Sequence, residues 1–144
     1  MNLNYFFDGI NPVAQNKTFC FQVPRYNEVW WCYPRGTATE CTHAVVYNVK
    51  ENTWYDTELP NDGRSAGHFN NSFAAPILTG VKTDGSGYKV WRHEFKVDEY
   101  DGSVVRPIKS NFETADISTL VTGNNRYLRC TTIEPDFVQS GPMT

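Results

Sequence analysis

The sequence predicts an all-β fold built from antiparallel meanders. Aromatic side chains make up 15% of the 144 residues, with nine Phe, eight Tyr and four Trp, and such residues favour strands over helices. Ten Gly and eight Pro are spread along the chain, as expected where turns are frequent. No long stretch carries apolar residues at the helical spacing i, i+3, i+4 and i+7, which argues against a helical bundle.

The first half of the chain is predicted to form an N-terminal loop segment over residues 1–17 and a four-strand unit over residues 18–60. Apolar and β-branched runs separated by short polar turns mark the strands. The second run is nearly continuous in apolar character, as expected of a strand buried on both faces. The four predicted strands are Thr18–Pro24, Glu28–Tyr33, Thr42–Val49 and Thr53–Leu59.

The last two of these strands carry the strongest local pattern in the chain. Two β-rich runs flank the polar tetrad Lys50–Thr53, with Tyr47 near the end of the first run and Trp54 at the start of the second. This arrangement is typical of an antiparallel hairpin with one face packed on a neighbouring sheet. Cross-strand pairs among Trp30, Tyr33, Tyr47 and Trp54 are expected to stabilise the unit by roughly 0.2–1 kcal/mol each.

The second half is predicted to contain a polar linker over residues 61–71, a second β unit over residues 72–137 and a tail over residues 138–144. The runs Ser72–Val81 and Tyr88–Phe95 flank a tip that contains Asp84-Gly85, and the second run alternates cleanly between two faces. Pro107 confines the following extended run, within Ser103–Ala115, to an edge or bulge position. A final strand is predicted over Arg126–Ile133.

Charge and hydropathy exclude several classes of protein. The net charge is −3 and no basic block occurs, which argues against binding driven by nucleic-acid phosphates. No apolar run approaches the roughly 20 residues that cross a bilayer, and the N-terminus lacks the charged and apolar regions of a signal peptide. The four cysteines could form a disulfide framework, but without an export signal the sequence favours small buried thiols in a reducing compartment. They are Cys20, Cys32, Cys41 and Cys130.

No metal or cofactor site is expected. Cys41 and His43 form a C-x-H pair, but zinc sites need a second pair at short spacing, which the sequence lacks. His93-Glu94 is not followed by a second histidine at helical spacing. His43 and His93 lie in strand-like runs and are interpreted as residues of the sheets rather than ligands.

The acidic side chains also favour a non-catalytic interpretation, because carboxylates near Asp-Gly turns usually form turns. The acidic groups are Asp98 with Glu99 and Asp101, and Asp56 with Glu58. Glycosidases use two carboxylates about 5–10 Å apart, and this remains the enzymatic alternative for these residues.

The tryptophans indicate an interaction surface. Adjacent Trp30 and Trp31 must point to opposite faces of a strand, so an isolated sheet would leave a large apolar patch in water. We therefore predict that aromatic side chains mediate assembly with other protein. The alternative is a platform on which sugars stack. The predicted assembly residues are Trp30, Trp31, Tyr33, Tyr47, Trp54 and Trp91.

Several motifs, in this order, resemble the C-terminal part of a structural protein of tailed bacteriophages, of the packaged-DNA stabilisation or tail-hub type. The segment Ala44–Pro60 also resembles the inner hairpin of a kelch-like β-propeller blade. The resemblance spans roughly residues 19–137. The motifs are E-V-W-W-C-Y-P (28–34), H-A-V-V-Y-N-V-K-E-N-T-W-Y (43–55), W-R-H-E-F-K-V-D (91–98) and I-K-S-N-F-E-T-A-D-I (108–117).

The resemblance implies a non-enzymatic virion protein of the neck or tail, assembled in the host cytoplasm. Its expected partners are other tail or neck proteins and copies of itself, with neither membrane nor nucleic acid bound directly. It further implies meanders arranged as propeller blades. A closed propeller needs about 4–8 blades, so other chain segments would complete it. A β-sandwich is the alternative fold, and a carbohydrate-binding or glycan-depolymerising module at a tail tip is the alternative function.

Overall fold

The chain folds into antiparallel β-sheets, which confirms the all-β prediction. A computed structural model describes residues 3–95, 98–101, 103–108 and 131–132. These belong to two compact units, Met1–Phe95 and Lys96–Thr144.

The secondary structure of the described residues is one short α-helix, two single-turn 3-10 helices and nine strands. The 3-10 helices are Gln15–Lys17 and Pro24–Tyr26. The helix and strands are α1 Leu3–Gly9, β1 Phe19–Val23, β2 Glu28–Tyr33, β3 His43–Asn48, β4 Thr53–Glu58, β5 Ala66–Asn70, β6 Ala75–Val81, β7 Tyr88–Arg92, β8 Asp98–Asp101 and β9 Val104–Pro107.

The first sheet is a four-stranded meander in the order β1-β2-β3-β4, as the sequence predicts. Every neighbouring pair is antiparallel, and the registers place Phe21 opposite Trp30, Trp30 opposite Val46, and Val46 opposite Tyr55. These four residues therefore share one face of the sheet, here called the inner face. Alternate residues, including Trp31, share the outer face.

The inner face forms the hydrophobic core of the first unit. Trp30 is only 6% exposed, its ring stacks on Phe21 with centroids 5.7 Å apart, and its Nε1 donates to Glu28 at 3.0 Å. The buried ring of Trp30 removes apolar surface from water, and its N–H has a hydrogen-bond acceptor. Trp30 therefore stabilises the core without leaving a buried donor unpaired. The other buried core residues are Val23, Cys32, Cys41, Ala44, Val46, Leu59 and Leu78.

The second sheet has the order β5-β6-β7 and shares that core. Leu78 of β6 is fully buried in it, and Phe69 of β5 packs against it. β1 and β5 also lie against each other. Two antiparallel sheets thus pack around one core within the first unit, and the arrangement of blades in a propeller stays a prediction.

The prediction of an N-terminal loop over residues 1–17 is wrong for part of this segment, because Leu3–Gly9 forms α1. A seven-residue helix is marginal by itself, so tertiary contacts must hold it. Phe6 packs edge-on against Tyr33 with ring centroids 4.7 Å apart, and the Tyr5 hydroxyl donates to the Asp56 carboxylate at 2.9 Å. These contacts lie far along the sequence, which is why the local pattern did not predict the helix.

The prediction of a linker over residues 61–71 is also wrong, because it contains β5. Gly67 and the polar residues around it weaken the strand signal. In the structure Gly67 lies opposite Leu78, and a Cβ at this glycine would come within 2.6 Å of the Leu78 side chain. A glycine is needed here because the two strands approach each other closely. Tertiary packing therefore explains why a residue that disfavours strands lies within β5.

In the second unit the described strands β8 and β9 pair as an antiparallel hairpin. Pro107 ends β9 opposite Asp98. Among the described residues both strands of this pair are edges, where proline is tolerated. Arg106 forms an ion pair with Glu99 at 3.9 Å. The predicted strand over Arg126–Ile133 and the predicted tail lie outside the described residues, apart from residues 131 and 132.

Candidate interaction surface

The outer face of the first sheet is divided into a covered half and an open half. α1 covers the half that contains Tyr33, through the ring contact of Phe6. Arg35 extends this cover by donating to the Tyr5 hydroxyl at 2.7 Å, and its guanidinium lies 4.8 Å from the Tyr5 ring. The other half, towards the β3–β4 turn, carries aromatic side chains that no helix covers among the described residues.

The open half carries three stacked rings, here called the outer aromatic cluster: Trp31 of β2, Tyr47 of β3 and Trp54 of β4. Tyr47 lies opposite Trp54 in the register, and their ring centroids are 4.6 Å apart at an interplanar angle of 29°. Trp31 stacks on Trp54 with centroids 5.7 Å apart at 25°. Such pairs stabilise a sheet by about 0.5–1.5 kcal/mol each beyond area burial.

Trp54 is the exposed member of the outer aromatic cluster, at 45% of its surface, whereas Trp31 and Tyr47 are half-buried. The Tyr47 hydroxyl donates to Asn52 at 3.0 Å in the adjacent turn, which fixes the position of that ring. Val45 is buried on the same face. The result is a preorganised apolar surface, since its rings hold one another in place before any partner arrives.

Three of the six predicted assembly residues form this cluster, and the other three lie elsewhere. Trp30 is in the core, and Tyr33 is fully buried beneath α1. Both rings are covered by the chain itself, which leaves no ring surface for a partner and gives them a core role. Trp91 lies in β7 of the second sheet, opposite Leu78 on the core-facing side, and is half-buried.

Trp91 belongs to a buried polar cluster organised by Arg64. Arg64 is 2% exposed, and its guanidinium carbon lies 3.8 Å from the Trp91 ring centroid, a close cation–π contact. It donates to the carbonyls of Pro60, Asn61 and Asp62 at 2.8–3.0 Å. This residue therefore joins the 60–64 loop to β7, and no pattern in the sequence indicated its role.

His93 completes the buried polar cluster by accepting a hydrogen bond at Nε2 from the Arg64 Nε, at 3.2 Å. Accepting at Nε2 requires a neutral ring with its proton on Nδ1. Burial, and secondly the charge of Arg64, lower the pKa of His93 to about 4. The sequence-based view of His93 as a histidine satisfied within the sheets agrees with this geometry.

The inner face ends in a hydrogen-bonded network that the sequence did not indicate. Glu28 accepts from Tyr55 at 3.0 Å as well as from Trp30. Burial, then the hydrogen bond to Glu28, raise the pKa of the Tyr55 hydroxyl. Burial and the nearby charge of Glu28 raise the pKa of Glu94. Both carboxylate oxygens of Glu28 already accept hydrogen bonds from neutral donors. The network therefore has a structural role at the edge of the core.

Cys41 and His43, the C-x-H pair of the sequence, each contact other groups. The Cys41 thiol donates to the Lys17 carbonyl at 3.2 Å, while His43 Nδ1 contacts the Thr42 hydroxyl at 3.0 Å. Among the residues that the structure describes, no three His, Cys, Asp or Glu side chains are placed to hold a metal ion. Asp56 bonds to the Tyr5 hydroxyl on the outer face.

Comparison with protein-family models, with curated proteins and with solved structures finds no match to this chain. Within the described ranges, no helix has both the length and the apolar character needed to span a membrane. The fold and the outer aromatic cluster are therefore the basis for a functional proposal.

Proposed function

We propose that this chain is a non-enzymatic structural protein of the neck or tail of a tailed bacteriophage. In this proposal it is assembled in the host cytoplasm and resides in the virion. It binds neighbouring tail or neck proteins and copies of itself through the faces and edges of its β-sheets. No residue is assigned a catalytic role.

The observation that carries this proposal is the outer aromatic cluster. Trp54 presents 45% of its surface to solvent on a sheet face whose other half is already covered by α1. Apolar aromatic patches of this kind are enriched where proteins contact one another. Large aromatic anchors held rigidly also lose little conformational entropy on binding, which favours association.

The stacking within the outer aromatic cluster favours a protein partner over a glycan. A sugar binds an aromatic platform through an open ring face. Tyr47 and Trp31 both stack on Trp54 in near-parallel orientation, so ring faces within the cluster already contact one another. The exposed surface of Trp54 is then best suited to insertion between side chains of another protein.

The test uses particles of the phage whose genome carries this reading frame. The proposal expects the chain to be a fixed-stoichiometry component of gradient-purified particles, detected by mass spectrometry and localised by antibody labelling at the neck or tail. Trp54→Ala is expected to lower incorporation at least about tenfold, which corresponds to a lost anchor of about 1.4 kcal/mol or more.

The matched control is Tyr88→Ala, which removes an aromatic residue that is 86% exposed on the other sheet. Incorporation of this control at the wild-type level, beside loss in Trp54→Ala, would support the outer aromatic cluster as the contact surface. Absence of the chain from particles would overturn the proposal. Binding on a glycan array that disappears in Trp54→Ala would favour the carbohydrate-binding alternative.

A further inference from the structure

Within the part of the chain that the structure describes, β4 forms one outer edge of the four-stranded sheet, and its outward side can accept another strand. Five of its six residues are exposed, and its register with β3 is continuous from Thr53 to Glu58 without a bulge. Among the described residues, no backbone group pairs with the outward side of β4. Such an edge presents a row of unpaired N–H and C=O groups to other chains.

The register shows which backbone groups face outward. The Leu59 N–H donates to the Thr42 carbonyl at 2.8 Å, so this pair is hydrogen-bonded. Hydrogen-bonded and non-hydrogen-bonded pairs alternate along an antiparallel ladder. The N–H and C=O groups of Trp54, Asp56 and Glu58 therefore point away from β3.

The other edges of the first unit are covered or discouraged from pairing. β1 and β5 lie against each other, and β7 carries Lys89 and Arg92, cations of the type that natural edge strands use against pairing. β4 contains neither lysine, arginine nor proline, and its charged residues are the acids Asp56 and Glu58. It also carries Trp54 and Tyr55, which are 45% and 40% exposed and gain burial when a strand is added.

We propose that β4 pairs antiparallel with β4 of a second copy of this chain across a two-fold axis, joining the two four-stranded sheets into one. This inference rests on the proposed function, of which it specifies the self-association. The pairing is isologous, so it closes as a dimer and does not propagate into a fibre. Tyr55 of one copy lies opposite Tyr55 of the other on the axis.

Charge disfavours one of the two neighbouring registers. With Tyr55 on the axis, Trp54 of each copy forms a hydrogen-bonded pair with Asp56 of the other, which gives roughly four intermolecular backbone bonds. A shift that places Asp56 on the axis would set two carboxylates directly opposite each other, which is unfavourable. The chosen register also brings each Trp54 ring beside the sheet of the partner copy.

The first test is disulfide cross-linking in a background with Cys20→Ser and Cys130→Ser, so that only Cys32 and Cys41, both fully buried, remain. Opposed residues of a non-hydrogen-bonded pair have Cα atoms about 4.5 Å apart, at which a disulfide can form. Tyr55→Cys is expected to cross-link into a dimer under mild oxidation. Asp56→Cys is the matched control, and preferential cross-linking there would overturn the proposed register.

The second test removes a single outward N–H group. Asp56→Pro lacks the N–H that points away from β3, so the β3–β4 ladder keeps its hydrogen bonds. Asp56→Ala loses the same carboxylate but keeps that N–H. In sedimentation velocity over a concentration series, wild type and Asp56→Ala are expected to show dimer, and Asp56→Pro only monomer.

Circular dichroism and thermal unfolding of Asp56→Pro report whether this variant is folded, and the cross-linking test stands if it is not. A wild-type chain that stays monomeric and whose Tyr55→Cys variant does not cross-link would overturn the β4 pairing. That result leaves virion incorporation and its dependence on Trp54 unaffected. Conversely, a dimer that is absent from particles would contradict the proposed function alone.

Discussion

Replacing His93 with glutamine is expected to remove a large part of the acid sensitivity of this fold. The His93 ring accepts a hydrogen bond from Arg64 and is therefore neutral when the protein is folded. Burial and the Arg64 charge lower its pKa from 6.5 to about 4. Protonation would remove the acceptor and place two cations in contact, at a site where Lys89 lies 5.8 Å from the same Trp91 ring.

The sign and magnitude follow from linkage between protonation and folding. Above pH 6.5 His93 is neutral in both folded and unfolded chains, so its contribution to stability is complete. As the pH falls from 6.5 towards 4, the unfolded chain binds a proton that the folded chain does not, and stability is lost. A pKa lowered from 6.5 to about 4 corresponds to about 3 kcal/mol.

The assay is chemical denaturation of the wild type and His93→Gln between pH 7 and pH 4.5. Glutamine can accept from Arg64 but does not titrate in this range. The difference in unfolding free energy between the two pH values is expected to be about 2.5 kcal/mol smaller in the variant than in the wild type. Burial lowers the pKa of His43 and raises that of Glu94. Both residues are present in the wild type and in the variant, so their contributions to the pH dependence cancel in this comparison.

His68→Gln is the matched control, because His68 lies exposed on β5. If the wild type and His93→Gln lose stability in parallel as the pH falls, the inferred neutral, buried state of His93 is wrong. NMR titration of the His93 ring measures the same quantity directly. A measured pKa near 6.5 for His93 would contradict the inference that the folded protein keeps this ring neutral as the acceptor of the Arg64 hydrogen bond.

Three further outcomes are expected. Arg64→Ala should lower the free energy of unfolding by more than about 3 kcal/mol in urea denaturation, because it leaves three loop carbonyls without their donor. Gly80→Ala should destabilise by at least about 2 kcal/mol, since its Cβ would lie 1.8 Å from the Gly63 carbonyl oxygen. In a Cys130→Ser background, a thiol reagent should label exposed Cys20 rapidly and buried Cys41 only after unfolding, because burial raises the pKa of Cys41 to about 12.

Each of these outcomes has its own control. Arg25→Ala, at an exposed arginine, should change stability little, and an equal loss there would contradict the role assigned to Arg64. A stable Gly80→Ala protein would show that β6 does not approach the 63–64 loop as closely as described. Rapid labelling of Cys41 in the folded chain at neutral pH would contradict its burial.

Much of the first sheet could be predicted because local pattern and tertiary environment agree there. Alternating and continuous apolar runs correctly located β1 to β4, and the polar tetrad Lys50–Thr53 correctly located the turn of the hairpin. The stacking of Trp54 on Tyr47 follows from the same hairpin register. The sequence also predicted that Trp30 and Trp31 face opposite sides of the strand, which the register confirms.

The interaction surface could be predicted only in part, because exposure depends on contacts between residues distant in the chain. Trp30 and Tyr33 have the same aromatic character as Trp54. The core covers Trp30 and α1 covers Tyr33, whereas Trp54 stays exposed to solvent. Within α1 the sequence has a run of three aromatic residues, Tyr5, Phe6 and Phe7, but seven residues carry too little local preference to specify a helix.

The sequence by itself determined the strand periodicity, the turns of the first meander and the excess of aromatic side chains, because these depend on steric preferences within a few residues. Tertiary structure alone decided that Gly67 lies in a strand, that Arg64 is buried over Trp91, and that β4 is an exposed edge strand among the described residues. Each of these depends on which surfaces meet when the sheets pack. Burial and hydrogen bonding across that packing, rather than local preference, set the environment of every such residue.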